Sequence, residues 1–194
     1  FLKKTDQERI QNCYGAVMNK YADHLWEVTT KLDGSSFTAY YNNGQFGVCS
    51  RNLDLAESAE NAYWQIARKY DLEKKLRELG ADIAIQGELM GPGVQGNREG
   101  LADLDLFVFD LYHTASGMYF DAVTRHELTR YLGLKHVPIL SNASSVAGMS
   151  KDDILALAEG PSLNHAVREG IVFKSLVNPN VSFKAISNKF LLNE

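Results

Sequence analysis

LWEVTTKLDGSSFTAYYNNGQFGVCSR, residues 25–51, decides the architecture. It holds three runs rich in aromatic, Val and Thr residues, LWEVTTK, SSFTAYY and QFGVCSR, a composition that favours strands. Asn42-Asn43-Gly44 between the last two is a hairpin signal, because both turn residues must tolerate positive φ. The first run ends in Lys31-Leu32-Asp33-Gly34, a lysine, an acid and a glycine turn. The hairpin pairing carries Arg51 back toward the sheet end that holds Lys31. A lysine ammonium ordinarily titrates at about 10.4 and is not nucleophilic at neutral pH until a cation, desolvation or a metal lowers that value. Lys-x-Asp-Gly is short enough to arise often by chance, and alone it reads first as a surface lysine beside a turn.

Outward from this stretch, residues 56–79 show helical spacing, with Ala59, Ala62, Tyr63, Ile66, Ala67 and Tyr70 on one face and Gly80 as a stop. DIAIQGELM (82–90) and LDLFVFDLY (104–112) read as strands around the loop GPGVQGNREG (91–100), with a turn at 115–117. A helix over 124–132, a short strand near Val137, a helix over 151–158, the strands GIVFKS and VSFKAI and a tail helix complete the series. FLKKTDQERIQN (1–12) reads as a polar, basic arm, continuing into a mixed segment to His24. Hairpins outnumber any βαβ alternation, so the expected class is α+β, antiparallel sheets flanked by helices.

The 194 residues suffice for one sizeable domain, and 45% hydrophobic and 23% charged residues are ordinary for a globular chain. A net charge of −4 carries no global basic signature for nucleic acid, so any such grip is local or supplied by another module. Cys13 and Cys49 form neither a CxxC nor a Cys/His cluster, which fits a reducing, intracellular setting. The sequons at Asn142 and Asn180 read as chance, since no secretory signal or apolar run of about 18 residues accompanies them. A start at Phe1 leads us to expect further sequence upstream.

Gly91-Pro92-Gly93-Val94-Gln95-Gly96 has the letters of a dinucleotide fingerprint, but that motif needs a helix to receive the pyrophosphate, and a strand follows here. Glu88 at a strand end, Glu169 before EGIVFK's apolar core and Asp33 after the lysine could gather a divalent cation through oxygen ligands; singly, each reads as a solvated carboxylate. Lys174 and Lys184 on the late strands either face solvent or bind phosphates as point charges. Phe107 and Phe109 should share one side of their strand and read first as core, although one ring could stack on a base. His24, His113, His126, His136 and His165 lack ligand spacing.

Taken in order, KLDG, SRN, QGELMG, LFVFDLY, EGIVFK and SFKAISNKF resemble the motif series of the covalent nucleotidyltransferases, and more closely the nucleotidyltransferase domain of ATP-dependent RNA ligases. FLKKTDQERIQN and SFKAISNKFLL are similar to the nick-sealing ligases of the Deinococcus and Naegleria type, which carry an OB-fold module N-terminal to this domain. The resemblance implies an ATP-grasp-like nucleotidyltransferase domain over 1–194, with the OB-fold module absent from this chain. It implies that Lys31 attacks the α-phosphate of ATP to form lysyl-AMP, with Thr30, Leu32 and Gly34 lining the nucleotide. Arg51 would contact the nucleotide sugar or the polynucleotide phosphate, and Glu88 the ribose hydroxyls. Phe107, or Leu106 one residue away, would stack on adenine, while Lys174 and Lys184 would bind phosphates. Glu169 would hold Mg2+ or Mn2+, with Asp33 and Glu88 acting through its waters. Some RNA ligases have Lys-x-Lys where this chain has Lys184-Ala185-Ile186. The implied partner is RNA with 5′-phosphate and 3′-hydroxyl ends in a nicked duplex, and the implied protein is a monomer without a membrane. A DNA ligase, a GTP-using capping enzyme and a non-catalytic RNA-binding scaffold of the same fold are the alternatives.

Overall fold

The computed structural model describes residues 1–193. The chain falls into two compact units: Phe1–Thr5 with Gly34–His136, and Asp6–Asp33 with the described residues from Val137 onward.

In the first unit a six-stranded sheet has the order β4-β3-β2-β5-β6-β7. Its strands are β2 (Ser35–Asn42), β3 (Gln45–Cys49), β4 (Asp54–Leu55), β5 (Ile83–Met90), β6 (Asp105–His113) and β7 (Lys135–His136). All neighbours are antiparallel except β6 and β7. The expected β2–β3 hairpin forms, with Asn43 and Gly44 at φ 50° and 78°, the left-handed pair such a tight turn requires. One sheet face carries Phe37, Ala39, Ile85, Leu89, Leu106, Val108 and Leu111, which pack in a core with Trp64, Ile66, Leu72 and Leu76 from the helices.

Those helices correct the single helix expected over 56–79. The chain forms α2 (Ala62–Lys69) and α3 (Leu72–Leu79), and Ala59 is exposed outside them. The Asn61 side chain accepts from the Tyr63 and Trp64 N–H groups at 2.9 and 3.3 Å, so the helix starts there. Asp71 sits at φ 51°, which ends one helix and starts the other; Gly80 is the expected left-handed stop. The loop after β5 holds one 3₁₀ turn, Gln95–Asn97, and no helix opens onto it, as the rejection of the dinucleotide fingerprint required. Helix α4 spans Ala122–Tyr131.

In the second unit a four-stranded antiparallel sheet has the order β10-β9-β1-β8, from β1 (Leu25–Lys31), β8 (Ile139–Ser145), β9 (Gly170–Ser175) and β10 (Ser182–Ile186). Its core joins Trp26, Val28, Ile171, Phe173, Phe183 and Ala185 to Ile10, Cys13 and Val17 of α1 (Ile10–Lys20) and Ile154 of α5 (Lys151–Leu157). Helix α1 takes over the last residues of the stretch read as an arm, and an apolar i, i+3, i+7 set on a mostly polar segment had left it unmarked. Strand β8 was also unforeseen: as an edge strand of sequence ILSNASS it is largely exposed and lacks an apolar pattern. Helix α6 (Asn188–Leu192) closes the chain. Cys13 and Cys49 are buried free thiols, and no helix among the described residues is long and apolar enough to cross a membrane.

Candidate active site

Alternation along the second unit's sheet places its charged residues together. Trp26 and Val28 enter the core, so Glu27, Thr29 and Lys31 lie on the opposite face. Pairing sets Lys174 opposite Glu27, Val172 opposite Thr29 and Gly170 opposite Lys31, and then Ser182 opposite Lys174 and Lys184 opposite Val172. One face therefore holds Lys31, Lys174 and Lys184 with Glu27. Glu27, Thr29 and Lys174 are buried.

The Lys31 ammonium donates to Glu169 Oε1 at 2.6 Å, with side-chain exposures of 25% and 16%. Burial pushes the Glu169 carboxyl above its ordinary range, Lys31 pulls it back, and nearby Asp33 pushes it up again. Burial and then the positive charge of Lys31 lower the Lys184 ammonium, and Arg9 acts in the same sense while Asp6 and Glu169 oppose it. Lys31, Glu169, Lys184 and Asp33 thus form one electrostatic cluster. Gly170 permits it: a Cβ there would meet the Ala185 carbonyl oxygen at 2.3 Å, so only glycine lets β10 close on the strand opposite Lys31.

The acid is positioned by its neighbours in the chain. The Ser187 N–H donates to the Glu169 carbonyl at 2.8 Å. Arg168 is buried and spreads its guanidinium over the carbonyls that end α5, donating to Ala158 at 2.9 Å and to Leu157 and Glu159 at 2.8 Å. The Glu159 carboxylate in turn accepts from Ser187 Oγ and the Asn188 N–H, both at 2.8 Å. Arg168, Glu159, Ser187, Glu27 and Arg9, which bridges to Lys184 in parallel pairing, are the residues that sequence reasoning missed. The period-two series Glu27, Thr29, Lys31 could have marked Glu27; the others carry no local signal.

Among the described residues no three His, Cys, Asp or Glu side chains gather as a metal cage. The Asp33 carboxylate is close enough to Glu169 for its charge to raise the Glu169 carboxyl. A magnesium-type ion keeps several waters and takes one or two carboxylates with substrate phosphates, and this donor set fits that hydrated mode.

In the first unit, Gly34 N–H donates to Glu88 Oε1 at 3.0 Å. A Cβ on Gly34 would stand 2.4 Å from the Leu89 carbonyl oxygen, so the glycine of the lysine motif is required by close backbone approach. Ser36 and Phe107 pair with Glu88 from the two sides, which places Glu88 and Phe107 together on the sheet face away from the core. Leu106 points into the core, wholly buried. Strict alternation breaks between Phe107 and Phe109: Gln86 pairs with Asp110 but Gly87 with Val108, so Phe109 is the extra residue of a bulge. Lys135 reaches over the Phe107 ring, 5.8 Å from its centroid, and pairs with Asp105 at 2.5 Å. Arg51 is exposed on the β3–β4 turn, which is closed by Ser50 N–H to the Leu53 carbonyl at 2.9 Å.

A buried Lys174, a half-buried Lys184 on the same face, a lysine held by a partly buried carboxylate and a glycine-fixed turn suit covalent capture of a phosphoryl centre. The RNA ligase family profile matches residues 24–186. Among solved structures, an apo aspartate-to-alanine mutant of Naegleria gruberi RNA ligase shares 41% identity with a TM-score of 0.93, covering 100% of this chain and 57% of that one. Lysine mutants of the same ligase with ATP and Mn and with AMP and Mn match at the same identity and TM-score, covering 100% of this chain and 58% of theirs. The chain thus spans just over half the length of these ligases. A comparison with curated proteins gave no match.

Proposed function

Because the chain belongs to the RNA ligase family, we propose that it is the nucleotidyltransferase unit of an ATP-dependent RNA ligase that works through a lysyl-AMP intermediate. The observation that carries this is the Lys31–Glu169 contact at 2.6 Å, with Lys184 in the same charge cluster. The Naegleria structures with ATP, AMP and Mn support the nucleotide and the metal.

In the first step Lys31 Nζ forms a bond to the α-phosphorus of ATP as the bond to the bridging oxygen breaks and pyrophosphate leaves. Lys31 must first lose a proton, and Glu169, which holds that ammonium, carries a carboxyl whose proton affinity burial has already raised. Lys184 and Lys174 neutralise phosphate charge as it builds in the transition state. Glu88 contacts the ribose hydroxyls, Phe107 stacks on adenine, and Thr30, Leu32 and Gly34 line the nucleotide. Glu169 and Asp33, with Glu88 through water, would hold Mg2+ or Mn2+, which when bound adds phosphate neutralisation and disfavours the ammonium form of Lys31. AMP then passes to the 5′-phosphate of a nicked RNA duplex, and a 3′-hydroxyl displaces AMP to seal it. An N-terminal OB-fold module would share the polynucleotide grip, in a monomer acting inside the cell.

Incubation with ATP and Mn2+ should add the mass of AMP to Lys31, and Lys31→Ala should abolish the adduct while the circular dichroism spectrum is retained. GTP should not label the protein. Absence of any adduct with either nucleotide would overturn the covalent mechanism and favour a scaffold.

A further inference from the structure

The six-stranded sheet has a second face, and the first residues of the chain lie across it. Lys3 N–H donates to the hydroxyl of buried Tyr112 at 2.9 Å, and the buried Gln86 amide donates to the Lys3 carbonyl at 2.6 Å. Phe1 packs edge-on against Tyr40, and the Lys3 ammonium stands over the Tyr119 ring, 4.6 Å from its centroid. Thr5 Oγ1 and Ser36 Oγ share a hydrogen bond at 2.9 Å. The arm is therefore held by main-chain hydrogen bonds to side chains of β5 and β6 and forms one wall of a cavity.

That cavity has a volume of about 480 Å³, enough for a nucleotide-sized group, and lies wholly within the first unit. Lys3, Lys4 and Arg51 line it against the single acid Asp54, in a chain whose net charge is −4. Asp54 is occupied: Tyr40 donates to it at 3.1 Å and the Cys49 thiol at 3.5 Å. The hydroxyl-bearing residues Thr5, Ser36 and Ser50 also line the space. A local excess of cations beside hydroxyls that can both donate and accept is the chemistry that binds a phosphodiester and a ribose together.

We propose that this cavity is a ribonucleotide subsite, in which Lys4 and Arg51 take a phosphate of the RNA strand and the Thr5–Ser36 pair takes a 2′-hydroxyl. The arm then belongs to the RNA grip of the catalytic unit, and Lys4 and the hydroxyl pair extend the polynucleotide role expected of Arg51 alone. The 2′-hydroxyl is the group that tells RNA from DNA, so discrimination resides in Thr5 and Ser36 and affinity in Lys4. This rests on the RNA ligase reading above.

The test is equilibrium binding of fluorescent nicked duplexes, all-RNA and all-DNA, across a salt series, with ATP labelling of the unsubstituted protein measured alongside. Lys4→Gln should weaken both duplexes by roughly three- to tenfold and flatten the log affinity–log salt slope by about 0.7–0.9, one phosphate contact. Thr5→Val with Ser36→Ala should weaken RNA alone, shrinking the RNA-over-DNA preference by roughly three- to tenfold, the worth of one hydrogen bond. Lys4 is exposed, so its variant tests the phosphate contact even where the strand substitution perturbs folding. Unchanged affinity and slope in Lys4→Gln, or an unchanged preference in the folded hydroxyl variant, would overturn the subsite. A protein that labels with ATP but shows those null results retains the ligase function and loses only the subsite, whereas no labelling defeats the ligase reading itself.

Discussion

At the scale of single residues, reactivity is set by how each charge is held. Lys31 is kept by Glu169 at 2.6 Å as a donor, so the proposed attack on ATP depends on a side chain that can give up a proton. Lys31→Arg keeps the cation but not that capacity, since a guanidinium stays protonated in proteins; intact-mass spectra should show no AMP adduct on it. Gly34 lies where any Cβ meets a carbonyl oxygen at 2.4 Å. Gly34→Ala should cost about 1–3 kcal/mol, read as a lower urea midpoint, because the backbone must move to admit it. The thiols behave oppositely to a reactive cysteine: burial, and then Asp54, push Cys49 up to about 12, and burial and Glu8 raise Cys13. Both should resist a thiol reagent at pH 8 in the native protein and react at once in denaturant.

At the scale of elements, two small networks decide where site residues stand. Arg168 ends α5 by satisfying three carbonyls and immediately precedes Glu169. Arg168→Ala removes the buried guanidinium that these carbonyls share, leaving the buried Ala158 carbonyl without that donor, and should cost about 1–3 kcal/mol in denaturant titrations. Asp105, at the start of β6, accepts from Lys135, from the Tyr70 hydroxyl and from the Leu106 N–H at 2.9 Å. Burial alone would raise its carboxyl, but these bonds outweigh it and hold it below the ordinary range. A depressed folded pKa means that the stabilisation is complete above the ordinary carboxylate range and is lost as pH falls below that range and through the lower folded value. Thermal melts of Asp105→Asn should therefore show lower stability near neutrality and a shallower acid limb than the parent. The bulge at Phe109 belongs to this scale as well, since it keeps Phe107 beside Glu88 while Val108 and Leu111 both enter the core.

At the scale of the molecule, each unit is assembled from distant pieces of chain. The second unit's β1 is flanked by β8 and β9, more than a hundred residues later. A fragment of residues 1–136 would lack both partners of β1 and the acid that holds Lys31, and it should fail to label with ATP. Phe37→Ala in one core and Phe173→Ala in the other should each cost about 3–5 kcal/mol, because both rings are wholly buried. Two calorimetric or denaturant titrations check this directly.

What the sequence determined by itself follows from local physics. Hairpin chemistry at Asn42-Asn43-Gly44, alternating strand composition and the stop at Gly80 operate over a few residues, so the α+β class and most strands were legible. The six ordered motifs also carried the family, and Lys31, Glu169 and Lys184 do meet in one cluster. Tertiary structure decided the rest. Helix α1 and edge strand β8 have too few apolar residues to announce themselves, and the break at Asp71 depends on how both halves pack on one sheet. Sheet register set Phe107, not Leu106, on the face it shares with Glu88 and placed a bulge at Phe109. The hold of Arg168, Glu159 and Ser187 on Glu169, and the cavity beside the arm, join residues far apart in sequence. No local pattern encodes such a contact, because its stability comes from burial and hydrogen bonds that exist only once both partners are folded.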